Sequence, residues 1–407
     1  MSRLSAIFTL FLSIFILSNI SAFEYTMDSP DIITAFEKAG DNAPELQKVI
    51  DHYKKSGDTL KLTAAYFLIA NMDQHSYATY RWFDTSDADV NIDVLAYPNY
   101  DSLKIAIGEI EKKRGELDYE KKELFYDLNQ ITSEFLINQI DYAFKAWTEK
   151  PWDKNFDFKQ FCRYILPYRG SNEPLEEWRK FFYNKYQYIT DSMKNKSDPL
   201  EAATIINDDI KTWFGFDPRF YLHPTDQGLS EMIDNKLGRC EDMTNITIYA
   251  MRANGLAVTS DYTPYWANSG NNHAWNAIVT ADGKVIPFMG AEASPGNYRL
   301  SGKVGKVYRK TYDQQKDNLI FQVPEDTEIP PWLKGKNYMD VTADYTDVAD
   351  VEIIIGDMLL KIERFRPYLC VFNSGEWKPI HWGEKIKETL SGEAVWSFTD
   401  MGKNVIY

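Results

Sequence analysis

Residues 238–244, Gly-Arg-Cys-Glu-Asp-Met-Thr, decide the fold that the sequence predicts. Apolar residues recur at three- and four-residue spacing after Cys240, which predicts a helix that begins there, and Gly238 permits a tight turn before it. The N–H groups and the dipole at a helix N-terminus favour an anion, and the thiolate is the nucleophilic form of cysteine. Glu241 and Asp242 suit the first helical turn but their charges oppose a thiolate, so their net effect stays open.

A second motif lies at residues 271–276, Asn-Asn-His-Ala-Trp-Asn. The alternation of residues over 273–280 predicts a strand. Residues 282–283, Asp-Gly, predict a hairpin turn, and residues 284–289 are expected to form the returning strand. The cysteine is therefore expected on a helix and the histidine on a strand, which is the arrangement that a papain-like Cys–His pair needs.

Composition limits the possible partners. The chain has 407 residues, which is enough for two or three domains and a large core. Aromatic residues make up 15%, which favours large cores or surfaces that stack on sugars or peptides. The net charge of −15 argues against nucleic acids and anionic membrane surfaces, because both bind clustered cations. A peptide, protein or glycan substrate is the expected partner, and the oligomeric state is left open.

The first residues have the pattern of a secretory leader. Arg3 supplies a short positive region, residues 4–17 are apolar but too short for a typical membrane span, and residues 21–22, Ser-Ala, suit cleavage before Phe23. The sequence therefore predicts an exported protein, periplasmic or extracellular, without an integral membrane span. The chain ends in what resembles an unfinished strand, so whether it continues past Tyr407 is left open.

Three cysteines, Cys162, Cys240 and Cys370, are too few for a disulfide scaffold, and the odd count leaves at least one free thiol. Cys162 and Cys370 have apolar neighbours, so both are expected to be buried small residues. Cys240 alone follows Gly and Arg and precedes two acidic residues. No pair of cysteines or histidines has the spacing of zinc ligands, so neither a metal site nor a cofactor is predicted.

Two polar features outside these motifs are assigned structural roles. Arg169 and Glu173 lie in a turn between predicted helices, where a solvated surface or a structural ion pair is expected. His75 and His223 follow or precede turns and are expected to cap helices or lie at the surface.

The two halves of the chain differ in periodicity. The N-terminal half has helical spacing, and the sequence predicts helices at residues 31–39, 43–55, 60–72, 100–114 and 119–147. After residue 300 the predicted elements are strands, at residues 304–312, 337–342, 351–355 and 369–372. This change of pattern predicts a β-sandwich or β-barrel module at the C-terminal end.

These motifs together resemble a known family. Residues 238–242, 273–276 and 282–284 are similar to the core of the transglutaminase-like superfamily, and residues 161–169 and 372–379 resemble an exported bacterial subgroup with a helical N-terminal region. The resemblance implies an α+β fold with four segments: a signal peptide at 1–22, a helical N-terminal domain at 23–195, a transglutaminase-like (papain-like) α+β core at 196–314 and a β-sandwich-like C-terminal module at 315–407.

The resemblance also implies roles for individual residues. Cys240 would attack an amide carbonyl as nucleophile, and His273 would act as general base and acid. The family orients this histidine with an Asp on the next strand, but that position falls near Met289 here. Glu292, or Asn271 or Asn272, could orient the ring instead. Loss of such an orienting residue is serious, because an Asp-to-Asn exchange costs about 10⁴ in rate in one serine enzyme.

Two functions from different classes follow. One is an exported cysteine hydrolase or acyl transferase that cleaves peptide or amide bonds through an acyl-thioester. The other is a catalytically degenerate fold that binds glycan or peptide. Aromatic residues before and within the histidine motif suit either function. The predicted substrate-binding residues are Tyr265, Trp266, Asn272 and Trp275, and Tyr262 is a further aromatic expected in the cleft.

Overall fold

The computed structural model of the protein describes residues 25–356, 365–388 and 393–407. The predicted leader at residues 1–22 lies outside this part of the chain. Helices and several sheets occur together, so the predicted α+β class is confirmed. Within the described residues, no helix combines the length and the apolar character that crossing a bilayer requires.

Two compact units divide the described chain. The first contains residues 25–259 and 276–297, and the second contains the described parts of 260–275 and 298–407. The domain boundaries expected after residues 195 and 314 remain predictions.

Helices make up most of the first unit. In chain order they are α1 (Pro30–Ala39), α2 (Ala43–Ser56), α3 (Thr59–Ala70), α4 (Tyr100–Arg114), α5 (Ser133–Glu149), α6 (Phe158–Tyr164), α7 (Arg179–Lys185), α8 (Ile189–Ser192), α9 (Pro199–Ile210), α10 (Leu229–Asn235) and α11 (Cys240–Arg252). The predicted helices at residues 31–39, 43–55 and 100–114 are confirmed. Helices α1, α2, α3 and α5 pack together, and every residue of α3 from Ala64 to Ala70 is buried.

An antiparallel sheet lies where the sequence predicted only helices. Its strands are β1 (Ser76–Phe83), β2 (Asp89–Val90) and β3 (Asp118–Tyr126), in the order β2-β1-β3. The helix predicted over residues 119–147 is therefore wrong in its first part. The residues of β3 are good helix formers, but aromatic pairs across the strands override that local preference. The Tyr77 ring stacks on Phe125 at 4.7 Å, and Trp82 contacts Tyr119 at 5.3 Å.

Helix α11 lies at the centre of the first unit. It contacts α7, α9 and α10, and it is buried on every side from Asp242 to Arg252. A short parallel pair of strands, β4 (Gly215–Phe216) and β5 (Leu237–Gly238), leads into its first turn. The helix predicted after Cys240 is thus confirmed.

Two buried arginines satisfy carbonyl groups near the end of α11. Arg179 donates to the carbonyl of Arg252 at 3.2 Å and to that of Leu166 at 2.9 Å. Arg252 donates to the carbonyls of Arg169 at 2.8 Å and Val258 at 3.0 Å. Burial lowers the pKa of both guanidinium groups, that of Arg252 to about 10. These hydrogen bonds stabilise the C-terminal end of the helix.

A five-stranded sheet contains the histidine motif. Its strands are β6 (Val258–Thr263), β7 (His273–Val279), β8 (Val285–Phe288), β9 (Tyr308–Lys310) and β10 (Tyr338–Asp340), in the order β10-β9-β6-β7-β8. Strands β7 and β8 pair antiparallel on either side of the turn predicted at residues 282–283, so both predicted strands are confirmed.

The second unit contains the C-terminal strands. They are β11 (Val348–Ile355), β12 (Tyr368–Asn373), β13 (Glu376–Trp382), β14 (Glu384–Glu388) and β15 (Ala394–Gly402). Strands β11, β15 and β14 form one sheet, and β12 and β13 form another. One hydrophobic cluster takes side chains from both sheets, among them Ile355, Val371 and Phe398. The predicted β-rich character of this region is confirmed.

Within the first unit, Asn276 of β7 ties that strand to α11. Its fully buried side-chain amide donates to the carbonyl of Thr244 at 3.3 Å and to that of Thr259 at 3.2 Å. Because Thr244 belongs to α11 and Thr259 to β6, one amide group joins the helix and two strands.

Gly290, just after β8, allows the backbone to lie close to Asn276 and α11. A Cβ atom at this position would lie 2.6 Å from Asn276 Oδ1 and 2.8 Å from the carbonyl oxygen of Met243, and it would also collide with Thr247 Oγ1. All of these atoms belong to buried residues, one of them is backbone, and none can move without disturbing α11.

We expect Gly290→Ala to lower the free energy of unfolding by about 1–3 kcal/mol, because the added methyl group overpacks a filled region. Chemical denaturation of the full chain, followed by circular dichroism, measures this change.

Gly108→Ala is the matched control. Gly108 lies in α4 with no atom within 4 Å of an added Cβ, so the exchange should stabilise the helix by about 0.5–1 kcal/mol. Equal effects of the two substitutions would contradict the close packing described at residue 290.

Candidate active site

Cys240 is the first residue of α11, and a buried carboxylate fixes the turn before it. Asp242 Oδ2 accepts the N–H of Arg239 at 2.9 Å, and Asp242 Oδ1 accepts the N–H of Gln227 at 3.0 Å. A Cβ at Gly238 would lie 2.5 Å from the Cβ of Asp242, so only glycine fits there. This turn places the cysteine at the positive end of the helix dipole.

The sulfur of Cys240 is in contact with a charged pair. Cys240 is 7% exposed, and its Sγ donates to Glu241 Oε2 at 3.0 Å. Arg239 Nε lies 3.6 Å from the same carboxylate oxygen, and Arg239 Nη2 forms an ion pair with Asp226 at 2.7 Å. Glu241 therefore favours the thiol over the thiolate, whereas Arg239 and the helix dipole oppose it.

His223 supports Arg239 through its backbone. The carbonyl of His223 accepts from Arg239 Nη1 at 3.0 Å, and its ring joins Thr225 O at 2.9 Å and Glu231 Oε1 at 3.0 Å. Burial opposes a charge on this ring, but the hydrogen bonds with Glu231 and Thr225, together with the nearby negative charges, outweigh burial and raise the pKa of His223. Its role is structural, as the sequence predicted.

An exposed aromatic pair flanks the same turn, and the sequence did not single it out. Phe216 pairs with Gly238 in the β4–β5 ladder, two residues before Cys240. Its ring meets Tyr221 edge to face at 5.7 Å, and both residues are 45% exposed. Partial burial, and then the charges of Cys240 and Glu241, raise the pKa of Tyr221, so its phenol shares their surroundings.

His273, in the second unit, is the first residue of β7. Its Nε2 and the hydroxyl of Tyr298 lie 2.7 Å apart and form a hydrogen bond. The Trp266 ring stacks on the imidazole at 5.8 Å with a 25° interplanar angle, and Trp275 lies at 5.7 Å. Tyr298 was not identified from the sequence, because no local motif marks a contact that spans 25 positions.

The residues expected to orient His273 have other surroundings. Met289 is a buried apolar residue, so the family's carboxylate is absent at that position. Glu292 has an exposed side chain after Ala291, whose φ is +56°, and its proposed role in catalysis remains a prediction. Asn271 has a φ of +75°, and its carbonyl accepts from the side-chain amide of Asn373 at 2.9 Å.

Most of the aromatic residues expected to line a cleft are core residues. Trp275 is fully buried and packs edge-on against Tyr345 at 5.2 Å, and its predicted contact with substrate remains a prediction. Tyr262 and Trp266 are also buried. Tyr265 and Asn272 are partly exposed, and their predicted contacts with substrate remain predictions. Sequence alternation failed here because β7 is buried on both faces after His273.

The described residues contain no group of three or more His, Cys, Asp or Glu side chains arranged to hold a metal ion.

The buried carboxylate of Asp242 predicts a pH dependence. Burial, and then the charge of Asp226, raise the pKa of Asp242 to about 6, against about 3.9 for an unfolded aspartate. Asp242 therefore contributes stability that is full below about pH 4 and is lost as pH rises through 6, a loss of about 3 kcal/mol. Asp242→Asn should flatten this slope, whatever its overall cost, in denaturation curves measured from pH 4 to 7.

Asp209→Asn is the control of opposite sign. Burial alone would raise the pKa of Asp209, but hydrogen bonds from Lys185 and Tyr186 outweigh it and lower that pKa. Its contribution is lost as pH falls below 4, so this variant should keep the slope between pH 4 and 7. An unchanged slope in Asp242→Asn would contradict the assignment.

One of three comparisons with known proteins finds a match. A search of curated proteins and a search of solved structures each found no match. A family model described as the transglutaminase-like superfamily matches residues 187–288, which include both Cys240 and His273. Residues 187–288 thus form a domain of the transglutaminase-like superfamily.

Proposed function

We propose that the protein is a cysteine hydrolase or acyl transferase that acts on peptide or amide bonds, with Cys240 as nucleophile and His273 as general base and acid. The family match supports this function because its range includes both residues. The structural observation that carries it is the bond from Asn276 to Thr244, 3.3 Å long. Asn276 lies three residues after His273 on β7, and Thr244 lies one turn after Cys240 on α11.

In the proposed reaction, the imidazole of His273 takes the thiol proton and the sulfur forms a bond to the amide carbonyl carbon. The resulting tetrahedral intermediate collapses as the C–N bond breaks, and His273 gives the proton to the leaving amine. Water or a second amine then attacks the acyl-thioester while His273 accepts its proton. The C–S bond breaks, the acid or the new amide leaves, and His273 returns the proton to the sulfur. The dipole of α11 favours the negative charge on sulfur, and Arg239 offsets the charge of Glu241.

We also propose that the protein is exported after removal of residues 1–22, and that it meets its substrate in a periplasm or outside the cell. The leader pattern of Arg3 and the apolar residues 4–17 supports this location.

The alternative function, a degenerate binding module, loses part of its support. It depended on an aromatic cleft, but Tyr262, Trp266 and Trp275 are core residues.

Alkylation of the full chain with iodoacetamide, located by mass spectrometry, tests the proposed dyad. We expect Cys240 to react rapidly at or below pH 6, because a thiolate–imidazolium pair forms well below the ordinary thiol pKa of about 8.5. His273→Ala should slow this reaction at least about tenfold.

His52→Ala is the matched control, because His52 is exposed on α2 of the first unit. It should leave the rate at Cys240 unchanged. Alkylation no faster than that of an ordinary thiol, with the same rate in His273→Ala, would falsify the enzyme proposal.

The exposed aromatic pair near Cys240 predicts a preference for amides that carry an aromatic ring. We expect iodoacetanilide, which carries a phenyl ring, to alkylate Cys240 faster than iodoacetamide, because the ring can pack against Phe216 and Tyr221. Replacing either residue by Ala should lower the ratio of the two rates about 2- to 10-fold, the range measured for aromatic pairs.

Phe181→Ala is the control for this ratio, because Phe181 is equally exposed, at 46%, but lies on α7. If Phe216→Ala and Phe181→Ala changed the ratio of the two alkylation rates equally, Phe216 and Tyr221 would not contact the phenyl ring of the reagent.

A further inference from the structure

Tyr298 forms a hydrogen bond with His273, but the family resemblance assigns no role to this tyrosine. The phenol lies 2.7 Å from Nε2, and Trp266 covers one face of the imidazole. The ring is thereby fixed at one nitrogen and one face. Both His273 and Tyr298 are only partly buried, so the imidazole is not sealed from solvent.

We propose that Tyr298 is the positioning residue of His273, and that a neutral phenol takes the place of the carboxylate that orients this histidine in the family. The inference rests on the proposed function, because it assigns the third member of the same catalytic group. The position expected for the carboxylate holds the buried side chain of Met289, which cannot accept a strong hydrogen bond.

The chemistry of the ring explains why such a partner is needed. A neutral imidazole carries one proton, and the other nitrogen must be free to accept the proton of the thiol. When Nε2–H donates to the oxygen of Tyr298, the proton stays on Nε2 and Nδ1 is the basic atom. When Nδ1 receives the thiol proton, the bond from Nε2–H becomes charge-assisted and stronger. As the acceptor in this hydrogen bond, Tyr298 favours that tautomer and stabilises the imidazolium, but less than a carboxylate would.

A second tyrosine–histidine pair in the same unit shows the difference between positioning and packing. Tyr308 donates to the carbonyl of Ile380 at 2.7 Å, and its hydroxyl lies 3.2 Å from His381 Nδ1. Tyr308 and His381 are both buried, and burial holds the pKa of His381 well below its usual range. That histidine stays neutral in the core, whereas His273 is accessible to a reacting group.

The test is the pH dependence of the alkylation of Cys240 by iodoacetamide, measured on the full chain. Tyr298→Phe keeps the ring and removes only the hydroxyl. It should slow alkylation about 3- to 10-fold, the effect of one neutral hydrogen bond, and move the midpoint of the profile to higher pH. Tyr298→Glu supplies a carboxylate, so it should restore the rate and move the midpoint to lower pH. A residue with a purely structural role would not move the midpoint in opposite directions.

Nitrogen NMR of the His273 ring gives a second readout that needs no activity. Wild type should show the proton on Nε2, and Tyr298→Phe should increase the population with the proton on Nδ1. Tyr308→Phe is the matched control: it removes a hydroxyl from the other pair and should change stability without altering the tautomer of His273.

Three results would overturn the inference. One is an unchanged profile and tautomer in Tyr298→Phe, and another is an unmoved midpoint in Tyr298→Glu. The third is faster alkylation in Tyr298→Phe, which would mean that the hydroxyl blocks a nitrogen that the thiol uses. Failure of the proposed function is distinct, because then His273→Ala itself would leave the rate at Cys240 unchanged.

Discussion

The buried carboxylate of Asp242 is the constraint on which the rest of the site depends. Its two oxygens accept the N–H groups of Gln227 and Arg239, and its Cβ lies so close to residue 238 that only glycine fits there. Together these contacts fix the direction in which the chain enters α11. Helix α11 then places Cys240 at its N-terminus, at the centre of a unit in which nearly every side chain of the helix is buried. The burial that makes the turn rigid also makes the carboxylate costly to ionise.

Charges around the sulfur are balanced rather than uniformly activating. Glu241 accepts the thiol proton in a hydrogen bond, while Arg239 lies beside the same carboxylate and is itself held by Asp226. The hydrogen bond to Glu241 favours the thiol, so in the proposed reaction an imidazole must compete for its proton. The proposed chemistry therefore requires a well-oriented base, which gives the partner of His273 its importance.

Local patterns predicted the elements that carry the motifs, and contacts between distant residues determined the rest. The helix after Cys240 and the hairpin of β7 and β8 follow from periodicity and from turn residues that act over a few positions. Strand β3 could not be predicted in this way, because its residues favour a helix until they pair with β1. Alternation along β7 did not show that Trp275 is a core residue, because every residue of β7 after His273 is buried, whichever face of the sheet it lies on. Tyr298 reaches His273 through tertiary structure alone.

The charged run in β3 has a consequence of its own. Strand β3 is an edge of its sheet, and edge strands offer open backbone groups to which other molecules can pair. Residues 120–123, Glu-Lys-Lys-Glu, are all exposed along this edge. A second chain that aligned there would have to desolvate these charges. The charged residues that led to the wrong helix prediction therefore also protect this edge from pairing with another chain. Uncharged β-branched residues at these positions would remove that protection and favour self-association along the edge.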